Sequence, residues 1–147
     1  MTKIGLIGCG MWGRNLARNL AQLDVLAAVA DRNDENAAEF AAQFNSQKRD
    51  FDTILADSSI DGVVIATSAP SHDELAIATL QAGKHVYVEK PLSLTLVGAN
   101  SIANAARKAG RRDSRAHSLL SEFRPNSQNR CRRNPKVFRE RSRLNLS

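Results

Sequence analysis

Residues 3–13 read KIGLIGCGMWG, an apolar run that leads into three glycines with the spacing G-x-G-x-x-G. The run predicts a short strand over Ile4–Ile7, and apolar residues about four apart predict a helix over Met11–Leu23. In such a unit Gly8 allows a tight turn, Gly10 lets a phosphate approach the backbone, and Gly13 lets the helix pack against the strand. The start of the helix then offers unpaired N–H groups to a diphosphate.

The first 110 residues continue this alternation of strands and helices. Further strands are predicted over 25–30, 62–66 and 85–88, with helices over 34–44, 71–82 and 95–109 and a short helical turn over 52–57. This order is typical of an α/β fold with a parallel, doubly wound sheet and helices on both faces.

Several residues mark predicted helix ends. Ser71 and Glu74 match a capping box at the start of one helix, and Thr95 is the predicted N-cap of the next. Gly83 and Gly110 are expected just beyond the ends of these two helices, where a left-handed residue is common.

An acidic residue follows the second predicted strand. Asp31 lies 18 residues beyond Gly13, where a carboxylate can accept hydrogen bonds from the adenosine ribose and repel a 2′-phosphate. The cofactor prediction is therefore NAD. Arg32 follows directly and keeps NADP open as an alternative, because its guanidinium could meet a phosphate.

Polar residues also follow the third and fourth long strands. They are Thr67, Ser68 and His72 after one strand, and Glu89 and Lys90 after the other. Because ligands bind outside the carboxyl ends of parallel strands, these residues are expected at one edge of the sheet, together with the glycine turn.

Three phrases together carry a family resemblance: the glycine turn, the Ala-Thr-x-x-x-x-His that ends at His72, and Glu89-Lys90-Pro91. Over about residues 3–110 the chain resembles the N-terminal dinucleotide-binding Rossmann domain of the Gfo/Idh/MocA oxidoreductases. The segment GMWGRNLARNL further resembles the branch that acts on UDP-N-acetyl-amino sugars. The resemblance implies an NAD(P)-dependent dehydrogenase acting on CH–OH groups of sugars, nucleotide sugars or polyols.

The resemblance also implies roles for individual residues. Lys90 would lie beside the nicotinamide and assist proton transfer, while Glu89 would lie near the ribose or carboxamide. The expected cofactor-binding set is Gly8, Cys9, Gly10, Met11, Trp12, Gly13, Asp31, Arg32, Thr67, Ser68, His72, Glu89 and Lys90, with no metal ligand. Relatives have room for a third strand where this chain has the polar NSQKRDF, so that strand is expected to be shortened or absent.

Charge divides the chain into two parts. Residues 1–110 hold ten Lys/Arg and twelve Asp/Glu, a net charge of −2, whereas residues 111–147 hold eleven and three, a net charge of +8. We therefore predict a dinucleotide-binding domain over 1–110 and a basic, irregular or disordered tail over 111–147, in place of the relatives' substrate domain. The expectation is a catalytically incomplete protein, and a reading-frame shift in the gene is our hypothesis for the tail's origin.

The basic tail also raises an alternative function, a nucleotide-binding or nonspecific nucleic-acid-binding module. It is less favoured because the tail matches no nucleic-acid-binding fold. The sequence has no apolar run of the ~20 residues that a membrane span needs, no signal-peptide pattern, and two cysteines without metal-ligand spacing. A cytoplasmic protein is predicted, and the oligomeric state is left open.

Overall fold

The computed structural model describes residues 1–112, with side chains described to residue 110. Within them lie five strands and five helices in strict alternation. They are β1 (Ile4–Ile7), α1 (Met11–Gln22), β2 (Leu26–Ala30), α2 (Asp34–Gln43), β3 (Gln47–Lys48), α3 (Phe51–Ala56), β4 (Gly62–Ile65), α4 (His72–Gln81), β5 (His85–Val88) and α5 (Leu96–Arg112). Of the predicted tail, residues 113–147 lie outside the described residues.

The five strands form one parallel sheet in the order β3-β2-β1-β4-β5. β1 lies at the centre, with Leu6 beside Val29 of β2 and Val64 of β4. The chain thus winds outward from β1 in both directions, which confirms the predicted doubly wound α/β fold. The two-residue β3 confirms that the third strand is shortened.

Each face of the sheet packs against its own helices. On one face, β1 and β2 contribute Leu6 and Val29 to a core that also includes Ala17 of α1 and Phe40 of α2. On the other face, a larger core joins the strands to helices α3, α4 and α5, through Ile54, Leu80 and Ile102 among others. These last three side chains are at most 2% exposed, and burial on this scale is the main stabilising contribution to the fold.

Two predicted helix signals are confirmed. The Thr95 hydroxyl accepts a hydrogen bond from Gly98 N at 3.0 Å, which caps the start of α5. Gly83 has a φ of +74°, the left-handed conformation expected after α4. Asn33 and Asp50 cap α2 and α3 in the same side-chain manner.

Two other helix signals were wrong. Ser71 makes no side-chain cap at α4, because a 3₁₀ turn over Ala69–Ser71 turns its hydroxyl back toward Ser68 O at 2.8 Å. Gly110 does not lie beyond the end of α5, since the helix continues to Arg112. A glycine inside a helix costs about 1 kcal/mol relative to alanine, which the buried face of α5 can offset.

The amino-terminal edge of the sheet holds a buried lysine. The Lys84 ammonium donates to Asp57 O at 2.7 Å and Ile60 O at 2.8 Å, and the residue is 5% exposed. Burial lowers the pKa of Lys84. Arg49 pairs with the Asp57 carboxylate at 2.5 Å, so this cluster ties the loop after α3 to the start of β5. Nowhere in residues 1–112 is a helix long and apolar enough to cross a membrane.

Candidate functional site

The glycine turn after β1 depends on two glycines for its shape. Gly8 has a φ of +103°, and a side chain there would place its Cβ 2.6 Å from the carbonyl atoms of Ala66. At Gly13 a Cβ would overlap the Gly8 oxygen and lie 3.0 Å from its carbonyl carbon. Both positions therefore require glycine for the turn to pass between β4 and the first turn of α1.

Gly10 is different, because a Cβ at this position would meet no atom of the described residues within 4 Å. Gly10 is also the N-cap of α1 and makes no side-chain cap. The start of α1 therefore has no side-chain cap and has open space beside Gly10, which is the arrangement that binds an anionic group at a helix N-terminus. Met11 and Trp12 extend outward and are 80% and 62% exposed.

Asp31 lies at the end of β2 and is tied to the glycine turn. Its Oδ2 accepts a hydrogen bond from Cys9 N at 2.6 Å, and its Oδ1 accepts one from Asn33 N at 2.8 Å. An ionised carboxylate has about four acceptor positions, so Asp31 keeps capacity for two further donors. It lines an open groove with Arg32 and the first residues of α2.

Cys9 contributes to this arrangement through its backbone. Its side chain is 6% exposed and lies 3.8 Å from Ala30 O. Burial, together with the nearby Asp31 carboxylate, raises the pKa of Cys9 to about 12. The residue is therefore a neutral thiol in the core and not a nucleophile.

The loop after β4 is held by its own hydroxyl groups. Because the Ser71 hydroxyl donates to Ser68 O, the Thr67 hydroxyl must be the donor in its 2.8 Å contact with Ser71 Oγ. Thr67 is half-buried and Ser68 is exposed. His72 is 1% exposed, and its ring nitrogens contact Thr67 O and Pro91 O at 3.0 and 2.8 Å.

The loop after β5 carries Glu89 and Lys90. Glu89 N donates to Ile65 O at 2.9 Å, which continues the β4–β5 pairing, and the Glu89 carboxylate accepts from Tyr87 OH at 3.1 Å. Lys90 is exposed, and its ammonium has no hydrogen-bond partner among the described residues. The Lys90-Pro91 peptide bond is cis.

The fold thus brings all the sequence-predicted site residues to the carboxyl edge of the sheet, on four neighbouring loops. It does not give them equivalent surroundings. The glycine turn, Lys90 and Arg32 present open groups, whereas the His72 ring is enclosed. Sequence reasoning missed Tyr87 of β5, whose hydroxyl donates to Glu89. The available signal was its position two residues before Glu89, because side chains two apart in an extended segment point to the same side. Residues 1–112 contain no cluster of side chains suited to a metal ion.

Comparison with known proteins places the chain among oxidoreductases with an NAD-binding Rossmann fold. Residues 2–117 match the family model described as "Oxidoreductase family, NAD-binding Rossmann fold". Myo-inositol 2-dehydrogenase from Thermotoga maritima is 34% identical over 111 residues, which cover 73% of this chain and 33% of that protein. The chain therefore spans about a third of the length of the curated relatives that it matches.

Two solved structures show the same relationship in three dimensions. UDP-N-acetylglucosamine 3-dehydrogenase from Acidithiobacillus ferrooxidans aligns with a TM-score of 0.69 and 35% identity, over 73% of this chain and 34% of its own. GenD2 from gentamicin A biosynthesis, solved in complex with NAD, aligns with a TM-score of 0.71 and 31% identity, over 74% and 32%. The likeness therefore covers about three quarters of this chain and about a third of each of these proteins.

Proposed function

The chain belongs to this oxidoreductase family with an NAD-binding Rossmann fold, and we propose that it is the cofactor half of a dehydrogenase acting on sugars, nucleotide sugars or polyols. The proposed cofactor site is the groove between the glycine turn, Asp31 and the loops after β4 and β5. The named activities of the relatives, on inositol and on UDP-N-acetylglucosamine, motivate the substrate class.

The observation that carries the proposal is the open space at Gly10, beside the uncapped start of α1. The residues present fit a dinucleotide because a diphosphate needs N–H donors, a positive dipole end and no intervening Cβ. Gly8 and Gly13 hold that turn in place by close packing. Every part of this arrangement belongs to the backbone of one strand-turn-helix unit.

Asp31 supports NAD over NADP. Its carboxylate is already oriented by Cys9 N and Asn33 N, and its two remaining acceptor positions suit the two hydroxyls of an unmodified ribose. A 2′-phosphate would bring a second negative charge to the same place. Arg32 is exposed beside it, and it is the residue that would favour NADP.

Lys90 is the proposed proton-transfer residue. NAD, when bound, would supply the hydride acceptor for oxidation of a carbinol carbon. The carbinol proton must leave as well, and an amine at the carboxyl edge can accept it or relay it. In the described domain the Lys90 side-chain nitrogen has no hydrogen-bond partner, so in its neutral amine form it can take this role, whereas the carboxylate of Glu89 is engaged by Tyr87.

The proposal is tested by calorimetry of NADH and NADPH binding to the wild type and to Asp31→Ala. We expect the wild type to prefer NADH. We expect the substitution to weaken NADH binding about tenfold and to strengthen NADPH binding, because it removes both the ribose acceptor and the repulsive charge.

NADPH serves as the internal control in this experiment. Asp31 also accepts from Cys9 N, so a disturbed glycine turn would weaken the binding of both cofactors equally. Parallel losses would therefore assign Asp31 to the turn alone. Unchanged NADH affinity would remove it from the ribose contact, and a wild type that binds neither cofactor would refute the proposed function.

A further inference from the structure

His72 occupies a junction between two loops of the carboxyl edge. It is the first residue of α4 and is 1% exposed. One ring nitrogen, Nε2, contacts Thr67 O in the loop after β4 at 3.0 Å. The other, Nδ1, contacts Pro91 O in the loop after β5 at 2.8 Å. A single enclosed side chain thus joins the loop after β4 to the loop after β5, which carries Lys90.

Both partners of the ring are carbonyl oxygens, which can only accept. A neutral imidazole has one N–H and donates to one of them, whereas a doubly protonated ring donates to both. In either state neither ring nitrogen is left for a ligand. The ring of His72 is therefore placed to hold protein to protein, and not to line the cofactor groove as the sequence predicted.

The two loops depend on His72 unequally. The loop after β4 has a second set of contacts, because Thr67, Ser68 and Ser71 are joined through hydroxyl groups and by a Ser71 N to Ser68 O bond of 3.1 Å. In the loop after β5, Lys90 follows Glu89, whose N–H donates to Ile65 O at 2.9 Å, and precedes Pro91, whose carbonyl oxygen is contacted by His72. On the carboxyl side of Lys90, the His72 contact is therefore the first anchor of this loop. The next side-chain contact of this loop is two residues after Pro91, where the Ser93 hydroxyl donates to an Asp73 carboxylate oxygen at 3.1 Å.

We propose that His72 is a positioning residue that sets Lys90 against the nicotinamide end of the cofactor groove by anchoring the carbonyl of Pro91. This inference rests on the proposed function. It also specifies which half of the cofactor depends on His72: the nicotinamide half, next to the loop after β5. The adenosine half depends on the glycine turn and Asp31, which His72 does not contact.

The test compares two ligands that differ in the nicotinamide. NADH and ADP-ribose share the diphosphate and the adenosine, and ADP-ribose lacks the nicotinamide ring. In His72→Ala we expect the affinity for NADH to fall about tenfold while the affinity for ADP-ribose stays within twofold of the wild type. In His72→Gln we expect most of the NADH affinity to return, because a glutamine amide can again donate to a carbonyl.

Thr79→Val supplies a matched control on the same helix. Thr79 is fully buried, and its hydroxyl donates to Leu75 O within α4 at 2.7 Å, so its loss costs a buried hydrogen bond far from either loop. We expect this variant to lose stability but to bind both ligands as the wild type does. Equal losses for both ligands in His72→Ala, or no loss of NADH affinity, would overturn the positioning role.

Amide hydrogen exchange provides a readout that needs no ligand. We expect faster exchange at residues 92–95 in His72→Ala. In His72→Gln, which serves as the second variant if His72→Ala folds poorly, we expect a smaller increase at the same residues. Exchange at residues 68–71 should be unchanged in both variants. Unaltered exchange at 92–95 in both variants would overturn the inference even if the wild type binds NADH. A wild type that binds neither ligand, with the expected exchange pattern, would refute the proposed function and leave the loop anchoring supported.

Discussion

Alanine substitutions at Gly13 and Gly10 should separate the folding of the glycine turn from its ligand binding. A Cβ at Gly13 would overlap the oxygen of Gly8, whereas a Cβ at Gly10 would meet nothing within 4 Å. Gly13→Ala should therefore destabilise the domain. Gly10→Ala should leave it folded and obstruct the dinucleotide.

The size of the Gly13 effect follows from the contact distances. A Cβ at this position would lie 3.0 Å from the carbonyl carbon of Gly8, and carbon atoms pack best at about 3.5–4.0 Å. Helix α1 must therefore retreat by at least about 0.5–1 Å from this carbon, and the overlap with the Gly8 oxygen requires a larger shift. Overpacking of this kind costs about 3 kcal/mol, and alanine returns about 1 kcal/mol in helix propensity. The expected net loss is at least about 2 kcal/mol.

The Gly10 effect on stability should be close to zero. Alanine is a poorer N-cap than glycine by about 0.5–1 kcal/mol. It also restricts the unfolded chain, which returns about 0.4–1 kcal/mol, and the φ of −80° and ψ of −168° at Gly10 are open to alanine. A new methyl group at the diphosphate position should nevertheless weaken NADH binding at least tenfold.

Urea unfolding and NADH titration measure the two effects on the same samples. With an m-value of about 2 kcal/mol/M, Gly13→Ala should lower the urea midpoint by at least about 1 M, while Gly10→Ala should move it by less than about 0.5 M. Wild-type stability in Gly13→Ala would show that α1 does not pack on Gly8 as described. Wild-type NADH affinity in Gly10→Ala would place the diphosphate elsewhere.

Two further predictions concern the opposite edge of the sheet. Lys84→Met keeps the apolar stem but leaves two buried carbonyl oxygens without their donor. We expect the free energy of unfolding to fall by about 2 kcal/mol and the Tm to fall by roughly 10 °C. An unchanged Tm would show that water replaces the ammonium. The second prediction is that Asp57 contributes to stability in acid. Hydrogen bonds from Ser59, and then from Arg49, lower the pKa of Asp57 to about 2. Its contribution is therefore fully present above about pH 4 and is lost as the pH falls through 2. The stability difference between the wild type and Asp57→Asn should narrow over that range, and a constant difference from pH 5 to pH 2 would contradict it.

The elements of this fold were predictable because local and tertiary preferences agree. The strand β5 and the strand β1 have the predicted bounds, since each is a short apolar run closed by glycine or charged residues. Thr95 and Gly83 are confirmed as helix signals because each acts within its own chain segment. The edge that carries the site then follows from the parallel order of the strands.

The sequence did not predict interactions in which a side chain can choose among several partners. Ser71 matched a capping box, but it ends a 3₁₀ turn in which its hydroxyl donates to Ser68 O, and it caps no N–H of α4. His72 matched a motif position, but its burial depends on the loop after β5, which is 19 residues away in the chain. Neither outcome can be inferred from spacing, because each depends on where a second segment lies.

The residues that the motifs group together divide into two physical classes. His72 has both ring nitrogens engaged by carbonyl oxygens of the protein, whereas the Lys90 side-chain nitrogen and the space at the Gly10 Cβ position meet no neighbour in residues 1–112. Asp31 combines the two, because two of its acceptor positions are engaged and two are open. Engaged groups fix the positions of loops, and open groups are available to a ligand. A substitution of an engaged residue should therefore change binding through geometry and be rescued by another hydrogen-bonding side chain. A substitution of an open residue should act directly and resist such rescue, and this difference in rescue is what distinguishes the two classes by experiment.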